Sequence, residues 1–147
     1  MIDEILSKSY PGRKIQRDPF TYSALFLALA PATTATFNIN IQSDSDFMIL
    51  GQTYFADIAA AAQTNATGVV PLITVMLTDT GSGRNLFDAA IAVPSLFGNG
   101  QFPHVLPQPK LLAKKSTLQV QVTNFDAAAT YNLRLYFDGI KIFDFGK

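Results

Sequence analysis

In 147 residues the chain carries eleven basic and eleven acidic side chains and no cysteine. That excludes a disulfide framework and any thiolate metal site, so the fold must hold by packing alone. Only 15% of the residues are charged while 48% are hydrophobic, with twelve Phe and no Trp. Such a surface is short of solubilising charge, and its excess apolar area predicts burial against other subunits.

Residues 1–19 read as an extended arm outside a single domain of residues 20–147. Tyr10-Pro11-Gly12 and Asp18-Pro19 interrupt regular structure, and Lys8, Arg13, Lys14 and Arg17 supply positive charge. The arm either reaches a neighbouring subunit or an acidic surface, or is a solvated tail. Four basic residues without interleaved aromatics do not make a nucleic-acid site, so no direct nucleic-acid binding is expected. Asp3 and Glu4 stand where a signal peptide would be basic. The apolar run of residues 22–32 is too short to span a bilayer, and no membrane role is expected.

Residues 20–30 are apolar on both parities. Tyr22, Ala24, Phe26 and Ala28 fall on one face of a strand and Leu25, Leu27 and Leu29 on the other. A strand covered on both faces is central between two layers or sandwiched at a subunit contact, and a short helix stays open for so brief a run. Residues 33–41 alternate, with Phe37, Ile39 and Ile41 inward. Residues 47–58 form another strand, in which Gly51 marks a bulge or a close backbone approach. Residues 59–68 are small and polar, a helical turn or a loose loop, and the sequon Asn65-Ala66-Thr67 reads as chance. Residues 72–79 form a clear strand running into the glycine turn of residues 80–84, and residues 86–93 return.

Residues 95–109 are irregular but apolar, and the prolines at 103, 107 and 109 forbid a central strand. Phe97, Phe102 and His104 in this loop are candidate partner contacts; the alternative is that the loop caps its own core. The most regular stretch is residues 116–137. Leu118, Val120 and Val122 alternate with polar residues, as do Tyr131, Leu133, Leu135 and Phe137. Residues 124–130 between the two runs read as the loop of an antiparallel hairpin. Residues 140–145 make a short last strand.

About eight short strands with turn-rich separators predict an all-β antiparallel sandwich, jelly-roll-like, built from two four-stranded sheets. No chemistry-bearing constellation accompanies it. Asp44 and Asp46 lack the rest of a calcium loop, the glycines at 81 and 83 lack the Lys-Ser/Thr of a phosphate cradle, and His104 is the only histidine. The chain is therefore expected to be no enzyme and to use no metal or cofactor.

Residues 78–139 resemble a group of small virion proteins of tailed bacteriophages, the capsid auxiliary (cement or decoration) proteins with a β-sandwich body. The shared order of parts is an Asp-Thr-Gly-x-Gly-Arg turn, a Leu-Phe-Gly loop and a Pro-rich segment. A Ser-x-Leu-x-Val-x-Val-Thr-Asn strand follows, and then a Tyr-Asn-Leu-Arg-Leu strand ending near Asp138-Gly139. The resemblance implies a homo-oligomer, a trimer by preference, that sits on the virion surface and bridges neighbouring major capsid subunits. On that reading Arg13, Lys14 and Arg17 of the arm and Phe97, Phe102 and His104 of the loop reach the lattice, while Tyr22, Leu25 and Leu27 are buried by folding and assembly. The competing reading is a receptor- or carbohydrate-binding head of a phage fibre or spike, weakened by the absence of Trp.

Overall fold

A computed structural model describes residues 1–59, 68–99 and 101–146. Nine strands and two short helices follow one another: α1 (Ile2–Ser9), β1 (Ile15–Leu29), β2 (Thr34–Asn40), β3 (Asp46–Ile58), β4 (Ile73–Asp79), β5 (Arg84–Asn85), β6 (Ile91–Ala92), α2 (Val93–Leu96), β7 (His104–Leu112), β8 (Thr117–Asn124) and β9 (Tyr131–Asp144). One sheet has the order β1-β9-β3-β7. The other has β2-β8-β4, with both β5 and β6 beside β4. All pairings between these strands are antiparallel.

The alternation read from the sequence decides which side chains lie between the sheets. Ile73, Val75 and Leu77 of β4 meet Leu118, Val120 and Val122 of β8 from one side, and Leu133, Leu135 and Phe137 of β9 from the other; all are buried. The connections β1 to β2, β2 to β3, β3 to β4, β6 to β7, β7 to β8 and β8 to β9 each pass from one sheet to the other. This arrangement is a jelly roll.

The topology corrects the expected hairpin. β8 and β9 lie in different sheets, so residues 125–130 form an arch across the sandwich rather than a reversal within one ladder. Asn124 holds the arch. It is wholly buried, and its Nδ2 donates to the carbonyls of Leu29, Ala30 and Ala129 while its Oδ1 accepts from the Asp126 amide.

The 20–30 run is an edge strand, not a central one. Tyr22, Ala24 and Phe26 enter the core while Leu25 and Leu27 point out. A register shift between Phe26 and Leu29 adds one residue on β1. Ala28 takes a positive φ there and donates its N–H to Asn132 Oδ1, which returns Leu29 to the core. The both-parity pattern is thus an ordinary half-buried strand interrupted by a bulge.

The N-terminal segment is not an extended arm throughout. Residues 2–9 are helical, with Asp3 and Glu4 in the first turn and Lys8 in the last, a charge order that suits the helix dipole. Leu6 and Tyr10 pack with Met48 and Ile142 into a second apolar cluster on the outer face of the β1-β9-β3-β7 sheet. β1 begins at Ile15, before the expected boundary at residue 20.

The proline segment does enter a strand, β7, but at the sheet edge, as the missing donors require. Gly51 pairs with Val105 and Ile49 with Lys110, so residues 106–109, which contain Pro107 and Pro109, bow out unpaired. The return after the glycine turn shrinks to the two-residue strands β5 and β6. Residues 60–67, including the sequon, lie outside the described residues. No helix among the described residues is long and apolar enough to cross a membrane.

Candidate functional site

The bulge in β3 sets the character of the outer surface. Across β9, Ile49 pairs with Gly139 and Gly51 with Asp138, which leaves Leu50 as an extra residue. Before it, Phe47 and Ile49 point into the core; after it, Gln52 and Ala56 do so, and Phe55 faces out. A one-residue slip in a strand exchanges its two faces, and here it puts an aromatic ring in solvent.

On that outer face Leu25 of β1, Arg134 of β9 and Phe55 of β3 form one cross-strand row, with Ser23, Tyr136 and Thr53 as the next. Helix α1 covers the other half of the face, over Met48, Leu50, Ile140 and Ile142. Among the described residues, no helix covers the half with Leu25 and Phe55.

Exposed apolar residues continue around that end of the sandwich, where β1, β3 and β8 finish and β4 and β9 begin. Leu25, Leu27, Phe55, Val70, Leu72 and Phe125 are between 42% and 71% exposed. Several large apolar side chains exposed at one end of a domain are a usual mark of a contact surface.

The opposite end is polar and satisfied within the chain. Arg13 Nε donates to both carboxylate oxygens of Asp144 at 2.8 and 2.7 Å, and Arg17 reaches Asp3 at 2.8 Å. The Tyr10 hydroxyl donates to Asp46, whose other oxygen accepts from the Lys114 amide. Lys141, buried beneath the Phe20 ring, donates to Gln42 and Asp44. Burial first, and then the Asp46 carboxylate, pushes the Tyr10 hydroxyl well above its ordinary range. Hydrogen bonds from Arg13 and then from the Gly146 amide hold Asp144 below the usual carboxylate value.

The expected contact residues therefore divide. Tyr22 is a core residue, edge-on to Phe20 and Phe47, and its hydroxyl accepts from the Gln42 amide. Phe97 is likewise core, edge-on to Phe137 with ring centroids 5.5 Å apart. Burial removes both from the surface available to a partner. Arg13 and Arg17 are paired within the chain, and the Lys14 backbone is bound to residues 145 and 146. Leu25 and Leu27 are free at the apolar end. Phe102 is 76% exposed on the loop before β7, and His104 opens that strand opposite Gln52.

Sequence reasoning missed Phe55, Val70, Leu72 and Phe125. Gly51 was the available signal for Phe55, because a bulge there reverses the inward parity. Among the described residues no group of three or more His, Cys, Asp or Glu side chains could hold a metal ion.

No family model matches the chain, and no curated protein matches it. Solved structures with a similar course include latent PorU from Porphyromonas gingivalis, at 9% identity and TM-score 0.35, covering 86% of this chain and 13% of that one. Infectious bursal disease virus, Gt strain, is similar at 12% identity and TM-score 0.31, covering 90% of this chain and 33% of that one. The VP2 subviral particle of that virus is similar at 12% identity and TM-score 0.29, covering 91% and 42%. This chain thus spans less than half of each. Likeness at this distance assigns neither family nor function, and the jelly roll itself serves capsid, lectin and cupin domains alike.

Proposed function

We propose that the chain is a structural virion protein of a tailed phage, a capsid cement or decoration protein. It self-associates through its apolar end, as a trimer, and bridges neighbouring major capsid subunits. The observation that carries the reading is the group Leu25, Leu27, Phe55, Val70, Leu72 and Phe125, exposed together on a chain whose polar end is internally paired. Covering one such side chain contributes about 1.5–3 kcal/mol at full burial. Several partial burials per copy, repeated by symmetry, hold an oligomer, and an oligomer turns weak lattice contacts into one firm attachment. The resemblance over residues 78–139 supplies the lattice as partner and the virion as location.

Sedimentation over a hundredfold concentration range tests this. A constant multiple of 16.0 kDa is expected. Leu27→Asp should weaken association at least about tenfold, since a carboxylate would have to be desolvated in the contact. Asn38→Asp, on the exposed face of β2, should not. A monomer throughout, or an oligomer indifferent to Leu27→Asp, would remove the assembly surface. Co-sedimentation with capsids then tests the lattice partner.

A further inference from the structure

The bulge that turns Phe55 outward also turns Gln52 inward. Gln52 is 2% exposed, and its Oε1 has no hydrogen-bond partner. A buried acceptor without a donor carries the full desolvation cost of the group, so the position asks for one. Gln52 lines a cleft of about 440 Å³ at the open edge of the sandwich, between β7 and the β5–β6 side of the other sheet. Leu77, Phe87 and Leu96 form one wall, and Leu106 and Pro107 the other. The cleft lies where residues 106–109, Pro107 and Pro109 among them, stand unpaired with β3.

We propose that this cleft binds a small neutral aromatic molecule carrying one hydroxyl, with the hydroxyl on the Gln52 carboxamide. The volume falls within the range of small-molecule sites, whose walls are apolar with a few placed polar groups. Neutrality follows from the rim. Lys110, the cation lining the cleft, already faces the buried carboxylate of Asp79 at 3.6 Å, and Asp79 also accepts from the Gly81 amide and the Ser82 hydroxyl. A charged ligand would enter apolar walls whose one lysine is already paired with a buried carboxylate. A hydroxyl both donates and accepts, so it satisfies the carboxamide whichever of its ends is turned to the cleft. The flat faces of Phe87 and Pro107 suit a ring.

The 147-residue chain titrated with p-cresol and with toluene, nearly the same shape, tests the site. Binding is followed by the NMR signals of His104, which lines the cleft and is the chain's only histidine. We expect p-cresol to bind about tenfold more tightly than toluene. Gln52→Leu should erase that difference while toluene still binds; Gln52→Met serves if the leucine variant does not fold. Leu96→Trp should block both ligands. Equal affinities in the parent protein, no binding of either, or a preference surviving the loss of Gln52 would overturn the proposal. The cleft is distinct from the apolar end, so either result leaves the assembly reading to its own test.

Discussion

Asn124 Nδ2 lies 3.0 Å from the carbonyl oxygen of Leu29, ninety-five residues away along the chain. One buried amide thereby ties the end of β8 in one sheet to the end of β1 in the other. Asn124→Ala strands three carbonyls and the Asp126 amide, which should cost about 3 kcal/mol in urea denaturation. Asn124→Asp should be at least as damaging at neutral pH, because a carboxylate would face the same carbonyls. A loss below about 1 kcal/mol for both would mean that the arch is held by something else.

Gly139 sits where β9 passes closest to β3. A Cβ added there would overlap the Met48 carbonyl oxygen and press on the Phe47 ring, so the β3 backbone itself would have to shift. Gly139→Ala should cost more than about 3 kcal/mol, visible as a collapse of soluble yield or of Tm. Gly12→Ala, with open space around its Cβ, should suffer only the strain of its positive φ.

The N-terminal helix belongs to the fold through Leu6. Leu6→Ala should cost about 2–4 kcal/mol. Removal of residues 1–9 should uncover Met48 and Ile142 and raise binding of a hydrophobic dye. Lys8→Ala, which breaks only an exposed pair with Glu4, should move stability by less than about 0.5 kcal/mol. A truncated protein as stable as the parent would show that the helix is only laid on the sheet.

Two carboxylates define the acid limb of stability. Asp144 is held below its ordinary 3.8 by Arg13 first. Asp126 is held below the same value by the Ala128 amide first, then by the Tyr131 hydroxyl and the Ala129 amide. Each favours the folded state fully above pH 3.8, where the unfolded carboxyl is also ionised; the advantage is lost as pH falls through the lowered folded value. The Arg13→Gln variant should therefore differ from the parent at neutral pH and converge with it in strong acid. At the other extreme Tyr10 stays protonated in the fold past its ordinary 10.0. Stability should then decline as pH rises beyond 10, and decline less in Tyr10→Phe. Parallel stability curves for parent and Arg13→Gln down to the acid limit would contradict the first expectation.

Facing was legible in this sequence, and pairing was not. The period of two in Leu118, Val120, Val122 and in Leu133, Leu135, Phe137 says which side chains enter the core, and each did. It carries no information about the neighbouring strand, so β8 and β9 looked like a hairpin. Asn124, polar yet in phase with those buried valines, was the local sign of an arch. The bulges at Leu50 and Ala28 reversed parities in ways that only Gly51 announced. Ile2, Ile5 and Leu6 stand at helical spacing with acids before Lys8, but eight residues ending at Tyr10-Pro11-Gly12 are too few for that period to stand out. Of the exposed apolar end, Leu25 and Leu27 were readable as excess apolar residues. The Gln52 cleft arises from two strands deviating from each other, which leaves no trace in either one's pattern.

The exchange of sheets at the long connections also governs how this chain can fold. Among the described strands, apart from β4 with its two-residue partners, none bonds to the one that follows it, so these strands offer no sizeable hairpin as an early local seed. One of the two inner strands of the helix-bearing sheet is β9, which pairs Asp144 with Ile15 at its far end and comes after every other described strand in the chain. Until residues 131–144 have been made, β1 and β3 have no strand between them. Their apolar edges stand open to other chains, and the newly made protein is most exposed to mispairing in that interval.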